Sequence, residues 1–207
     1  MKKLFLIVLV AMMAIGMCVA QERQSLVSFR FGAGSTFMRT EGEVSGMKTG
    51  TGLSFDIDCN PWGGIWFVGF GVNQQTIAVN NLLKKDSSPL YDDVNTNFLS
   101  GVIRGGLDFP VARKHNIKLA LESGIAGIMS RQKYEGNHYR TKNPTVVIGG
   151  ELSYNYMLTR HLGINVLMRV DRFGNDNLQH GSRPSSSMQP IKFNPLTLGV
   201  GLSYHIK

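Results

Sequence analysis

From Pro195 to Ile206 the chain alternates strictly between apolar and small or polar positions. Leu196, Leu198, Val200, Leu202, Tyr204 and Ile206 take turns with Thr197, Gly199, Gly201, Ser203 and His205. A period of two is the mark of a β-strand with unlike faces. In a closed barrel this last strand pairs with the first and removes both sheet edges.

The same pattern recurs along the chain. The first strand, Leu26 to Met38, places Val27, Phe29, Phe31, Ala33, Ser35 and Phe37 on one face and Ser28, Arg30, Gly32, Gly34 and Thr36 on the other. The second, Thr49 to Cys59, sets Leu53, Phe55 and Ile57 against Ser54, Asp56 and Asp58, and ends in the turn residues Asn60-Pro61-Trp62-Gly63-Gly64. The third runs from Ile65 to about Gln75, with Trp66, Val68, Phe70 and Val72 opposite Gly69, Gly71 and Asn73. The fourth, Asn97 to Phe109, sets Leu99, Ile103 and Leu107 against Ser100, Arg104, Gly106 and Asp108. A fifth carries Ile117, Leu119, Leu121, Ile125 and Met129 opposite Lys118, Ala120, Glu122 and Gly124. The sixth, Thr145 to Leu158, opposes Ile148, Leu152, Tyr154 and Tyr156 to Gly149, Glu151, Ser153 and Asn155. In the seventh, Leu162, Ile164, Val166, Met168 and Val170 face away from Asn165, Arg169 and Asp171.

Seven connections join these eight segments, and they alternate long and short. The long ones are Arg39 to Lys48, a stretch containing Lys84 to Asp93, the polar loop Arg131 to Asn143, and Gly174 to Asn194. Short periplasmic turns and long external loops are the habit of up-and-down transmembrane barrels. The pattern therefore predicts an all-β protein, an eight-stranded antiparallel up-and-down transmembrane β-barrel.

Lys2 and Lys3, an apolar run from Leu4 to Met17, and the small residues of Cys18-Val19-Ala20 read as a cleavable signal peptide over 1–20, followed by a single barrel domain over 21–207. An alternative cleavage that makes Cys18 a lipid anchor meets a bulky Met17 where a small residue is wanted. Without Lys2 and Lys3, 20 Lys and Arg face 14 acids, a net charge of +6. The bases are scattered and interleaved with acids, which argues against nucleic acid as a partner. Cys59 is the one cysteine outside the signal, so neither a disulfide framework nor a cysteine zinc cluster is expected, and no cofactor motif is present.

A soluble ligand-binding barrel also alternates, so the distribution of charge decides the solvent. None of the apolar-face positions named above carries a charge, and that face collects most of the Leu, Ile, Val and Phe residues. Turned inward, those bulky side chains would overfill an eight-stranded barrel, whose interior only just accommodates side chains. Turned outward they form a lipid-facing belt, the glycines ease a crowded lumen, and Trp62, Phe109, Tyr156 and Tyr204 form an aromatic girdle at the short-turn end.

With its signal sequence, eight alternating segments and closing LGVGLSYHI, the chain resembles the small outer-membrane β-barrel proteins of Gram-negative bacteria, the porin-like, OmpA–OmpX type. The resemblance covers the whole mature chain and is architectural, not specific to one activity. It implies residence in the outer membrane after secretion through the inner one, contact with outer-membrane lipid and lipopolysaccharide, and handling by the barrel assembly machinery. Many such barrels end on an aromatic residue, whereas this sequence ends His205-Ile206-Lys207.

The inward face collects Arg30, Arg104, Lys118 and Arg169 with Asp56, Asp58, Asp108, Glu122, Glu151 and Asp171. These ten charges are read as a salt-bridged lumen network, with a water-lined pore as the alternative. Ser203 and His205 invite comparison with barrel enzymes that deacylate lipid A. Both point into the lumen at the periplasmic end, away from an outer-face lipid, and no catalytic residue is assigned. His115, His138, His161 and His180 lack metal-ligand spacing. In the external loop, Arg131, Lys133, Arg140 and Lys142 suit lipopolysaccharide phosphates or another external anionic ligand. The reading is a non-enzymatic barrel with a structural or surface-interaction role, and a narrow solute channel is the alternative.

Overall fold

The structure, a computed structural model, describes residues 26–41, 47–62, 64–83, 89–134, 137–174 and 192–206. The segment 1–20, expected to be a signal peptide, and most of the stretch Gly174 to Asn194 lie outside them. Eight strands follow one another: β1 (Val27–Glu41), β2 (Met47–Cys59), β3 (Trp66–Leu83), β4 (Pro89–Ala112), β5 (His115–Tyr134), β6 (Asn137–Met157), β7 (Leu162–Phe173) and β8 (Lys192–Ile206). Each pairs antiparallel with its neighbours, and β8 closes on β1 from Val27↔Ile206 to Glu41↔Lys192. Closure leaves every strand paired on both sides across the barrel wall, which is what a β-structure in hydrocarbon requires.

The faces follow the period of two. Along β7 exposed and buried residues alternate without a break. The outward residues are large and apolar: Phe31, Phe55, Phe70, Ile103, Leu121, Ile125, Val166 and Val200 are all exposed, with Leu121 at 74% and Ile125 at 75%. The inward residues include every buried charge. A soluble barrel would hide the first set and expose the second. This inversion identifies the outer surface as a lipid-facing belt, and Trp62, Tyr156 and Tyr204 stand exposed at its short-turn edge.

Glycine on the inner wall makes room for these charges. A Cβ on Gly71 would lie 2.5 Å from the Asp56 carboxylate and 3.1 Å from a Val102 methyl. On Gly163 it would meet Ser203 Oγ at 2.6 Å and Asn155 Oδ1 at 2.7 Å.

Two connections are shorter than the alternation pattern predicts. β3 and β4 pair from Trp66↔Leu107 as far as Leu83↔Pro89, so only 84–88 separate them. β5 and β6 pair as far as Tyr134↔Asn137, so the expected loop Arg131 to Asn143 is a hairpin of strand residues. Alternation stops where a strand leaves the apolar belt, but the backbone ladder continues as long as it has a partner. Pairing of β2 with β3 ends at Gly50↔Ile77, and that of β6 with β7 at Val147↔Phe173. Beyond those points, among the described residues, β3 to β6 continue as a four-stranded sheet.

Leu121→Arg, in the middle of the β5 belt, is expected to lower folding stability in lipid vesicles by roughly 2–4 kcal/mol. Urea titration in vesicles measures it, and a change within about 0.5 kcal/mol, as at a water-facing position, would contradict the lipid-facing assignment.

Candidate functional site: the filled lumen

The barrel interior has two layers. In the lower one, toward the short turns, the strand register sets opposite charges directly across from one another: Arg30↔Asp56, Arg104↔Glu122, Asp108↔Lys118 and Glu151↔Arg169. Directly opposed unlike charges stabilise an antiparallel pair. Six strands supply these charges, while β3 and β8 supply Gly69, Gly71, Gly199 and Gly201 at the same level.

The long side chains then reach across the lumen. Arg30 meets Asp56 at 2.9 Å and Glu151 at 2.6 Å. Arg104 meets Asp56, as well as Asp58 at 3.1 Å, Glu151 at 3.1 Å and Glu122 at 3.4 Å. Arg169 bridges Glu151 at 2.6 Å, Glu122 at 3.2 Å and Asp56 at 3.3 Å. Lys118 binds Asp58 at 2.7 Å and reaches Asp108 at 3.6 Å, and its ammonium lies 4.4 Å from the centre of the Phe67 ring. Arginine suits this role because its planar fork serves several carboxylates at once.

Of the ten charges, Asp171 stands slightly apart. Its carboxylate accepts a hydrogen bond from Gln75 Nε2 at 2.6 Å, and Gln75 also approaches Thr197 at 3.3 Å. Asn73 accepts from Arg169. Nothing in the alternation pattern marked Asn73 and Gln75 as partners, because hydrogen bonding across the lumen depends on barrel closure.

Above this layer the lumen turns apolar. Ile77, Phe98, Val102, Ile128, Val147 and Phe173 are buried, and the Phe98 and Phe173 rings stack with centroids 4.9 Å apart. Two hydroxyl pairs lie among them, Thr96 with Ser130 at 3.1 Å and Thr36 with Thr197 at 3.0 Å. The space beside Arg169, lined by Gly32, Gly52, Asn73, Gln75 and Thr197, measures about 10 Å³. That is the room of a single water molecule.

At the short-turn end a third cluster lies in the lumen. Ser203 Oγ donates to Asn155 Oδ1 at 2.8 Å, His205 Nε2 lies 3.1 Å from Ser203 Oγ, and Asn155 Nδ2 lies 3.2 Å from the same ring nitrogen. All three residues are buried. The serine and histidine thus point into the lumen, as their parity predicts, and there they are in contact. On the outside His115 and His161 are held by Tyr154 Oη at 2.5 Å and the His205 carbonyl at 2.9 Å. His180 and the side chain of His138 lie outside the described residues. Among the described residues no group of three His, Cys, Asp or Glu side chains is placed to hold a metal ion.

The basic residues of the expected loop sit on the hairpin of β5 and β6. Arg131 pairs with Arg140 across the ladder and Met129 with Lys142, so these bases share the outward face just beyond the belt residues Ile125 and Val146. Lys133 pairs with His138 in the same ladder, though its side chain is outside the described ones. Arg172 of β7, opposite Ile148, adds an exposed base that the alternation reading left unassigned.

Neisserial surface protein A superposes with a TM-score of 0.54 at 12% identity, covering 86% of this chain and 97% of that one. The attachment invasion locus protein Ail of Yersinia pestis gives 0.46 at 10%, covering 85% and 97%. OprG of Pseudomonas aeruginosa gives 0.44 at 13%, covering 88% and 98%. The first of these likenesses shows the fold, that of the small eight-stranded outer-membrane barrels. No family model and no curated protein matches the chain.

Removing one arginine strands several carboxylates in a dry interior. Arg104→Leu is expected to destabilise the barrel by about 3–5 kcal/mol, read by denaturant titration in vesicles. Unchanged stability with a new ion current would show that the charges line a water path instead. Gly71→Val, which drives a side chain into Asp56 and Val102, is expected to cost about 1–3 kcal/mol by overpacking. An unaltered midpoint would contradict the packing described.

Proposed function

We propose that the protein is a closed, non-enzymatic outer-membrane barrel whose work is done outside the lumen. It is a rigid scaffold that holds a basic hairpin against the phosphates of lipopolysaccharide. The observation that carries this reading is the placement of Arg131 opposite Arg140, beside Lys142, on the outward face of β5 and β6. Like charges directly opposed weaken a ladder, and an anion between them turns that cost into binding. The three positions lie about 10–20 Å beyond Ile125 and Val146 along the strands, the depth at which the lipid phosphates of an outer leaflet sit. Short turns in the periplasm and extended hairpins outside set this orientation.

The polar layer supports the scaffold reading because its charges are spent on one another, and the apolar layer above it excludes water. Narrow apolar constrictions block ion passage by dewetting. The Ser203, His205 and Asn155 cluster serves as a buried hydrogen-bonded stopper at the periplasmic end, since a lipid in the belt reaches none of them. Secretion across the inner membrane and insertion by the assembly machinery complete this reading.

Titration of the refolded protein with bisphosphorylated lipid A tests it. The triple variant Arg131→Gln, Arg140→Gln, Lys142→Gln is expected to bind about tenfold more weakly, ~1.4 kcal/mol, with a shallower salt dependence. Equal affinity in the two proteins, or equal affinity for dephosphorylated lipid A, would contradict the assignment.

A further inference from the structure

The opposite rim of the barrel also carries charge, gathered among the described residues on one side. We propose that the outer rim at the short-turn end, over β5 to β8, binds the phosphate headgroup of anionic phospholipid. The proposal rests on the reading that the apolar belt faces lipid.

The register brings this arc together. His115 pairs with Tyr156, and Met157 N donates to the Lys114 carbonyl at 2.8 Å, so the turn Arg113-Lys114 adjoins the end of β6. The next turn, Leu158 to His161, is held by Thr159 Oγ1, which accepts from the amides of His161 and Leu162 at 3.2 and 3.0 Å. That leaves Arg160 exposed at its tip. His205 N donates to the His161 carbonyl at 2.8 Å, which joins the arc to β8.

Aromatic side chains set its depth. Tyr154, Tyr156 and Tyr204 point outward from the last turns of the belt and are partly exposed. The His115 ring lies 5.1 Å from that of Tyr156, the Lys114 ammonium 6.0 Å from the same ring, and the His161 ring 6.0 Å from Tyr204. Tyrosines with one end in hydrocarbon and one in water sit at the membrane interface. Lys114 is three residues from Ile117, the first aliphatic of β5, hence within about 10 Å of the hydrocarbon edge.

The charge is of one sign. Among the described residues, the turns of this arc carry the exposed bases Arg113, Lys114 and Arg160, while Asp108 of β4 reaches Lys118 in the lumen at 3.6 Å. The other half of the rim, over β1 to β4, presents Leu26, Trp62 and Trp66, which are exposed and uncharged. Clustered bases at a membrane surface attract anionic headgroups. Because this cluster is continuous with the apolar belt, it fits a ligand that carries both a phosphate and acyl chains.

Solution NMR of the refolded, isotope-labelled protein in zwitterionic micelles tests this, with short-chain phosphatidylglycerol as the probe. Saturable shifts are expected at the amides of 113–115 and 159–162. The apparent affinity should exceed that for short-chain phosphatidylcholine at least fivefold. Arg113→Gln, Lys114→Gln, Arg160→Gln should weaken it about tenfold while the barrel keeps its heat-dependent gel mobility. Arg113→Lys with Arg160→Lys should restore the preference. Equal shifts with phosphatidylcholine or with inorganic phosphate, or an unaltered affinity in the triple variant, would overturn the proposal. Unmoved amides in a protein that still shows the mobility shift would reject the lipid site alone. A wild-type protein without that shift would reject the barrel reading as well.

Discussion

Ten charged side chains placed inside a barrel of eight strands constrain everything else in this molecule. In lipid they have nowhere else to go, and in so narrow a lumen they are buried whether or not they are paired. The register resolves this by setting Arg30, Arg104, Lys118 and Arg169 each directly across from a carboxylate. Their reach across the lumen then ties together strands that are far apart around the wall, as when Arg30 of β1 meets Glu151 of β6. Glycines on β3 and β8 leave the space those side chains occupy. Shear of one wall past another would break several ion pairs at once, so the network sets register as well as filling space.

Two halves of the lumen serve different ends. The charged half fastens the strands to one another, and the apolar half, with Phe98 stacked on Phe173, shuts the barrel toward its long-loop end. Above it the four strands β3 to β6 continue as a sheet supported from below. A closed, cross-linked cylinder is a firm base for such a projection, and surfaces held by rigid scaffolds are where recognition tends to reside. Exposed basic residues stand beyond both edges of the belt, Arg131, Arg140 and Lys142 at one and Lys114 and Arg160 at the other.

Much of the fold was legible because a strand with lipid on one side and a lumen on the other has to alternate. Leu121 and Glu122 are adjacent in sequence and occupy opposite solvents. Part of the network was legible too, since Asp108 and Lys118, and Arg104 and Glu122, stand symmetrically about one short turn. The pairing of Arg104 with Asp56 and Glu151 was not, because it depends on how the closed wall curves. Phe67, Phe98, Ile128 and Phe173 carry no such mark, because an apolar residue on the inner face interrupts the alternation without a charge to show which way it points. The hairpin of Arg131 and Arg140 looks like a loop in the sequence for a related reason: outside the hydrocarbon a paired strand needs no apolar face, so its residues show no alternation.

Whether the lumen is closed separates a plugged scaffold from a channel. Purified barrel inserted into planar bilayers, with insertion verified by protease protection, measures this directly. The predicted result is a bilayer that stays electrically silent under applied voltage. Reproducible unitary current steps from the wild-type protein would contradict a lumen filled by paired charges and capped by Phe98 and Phe173.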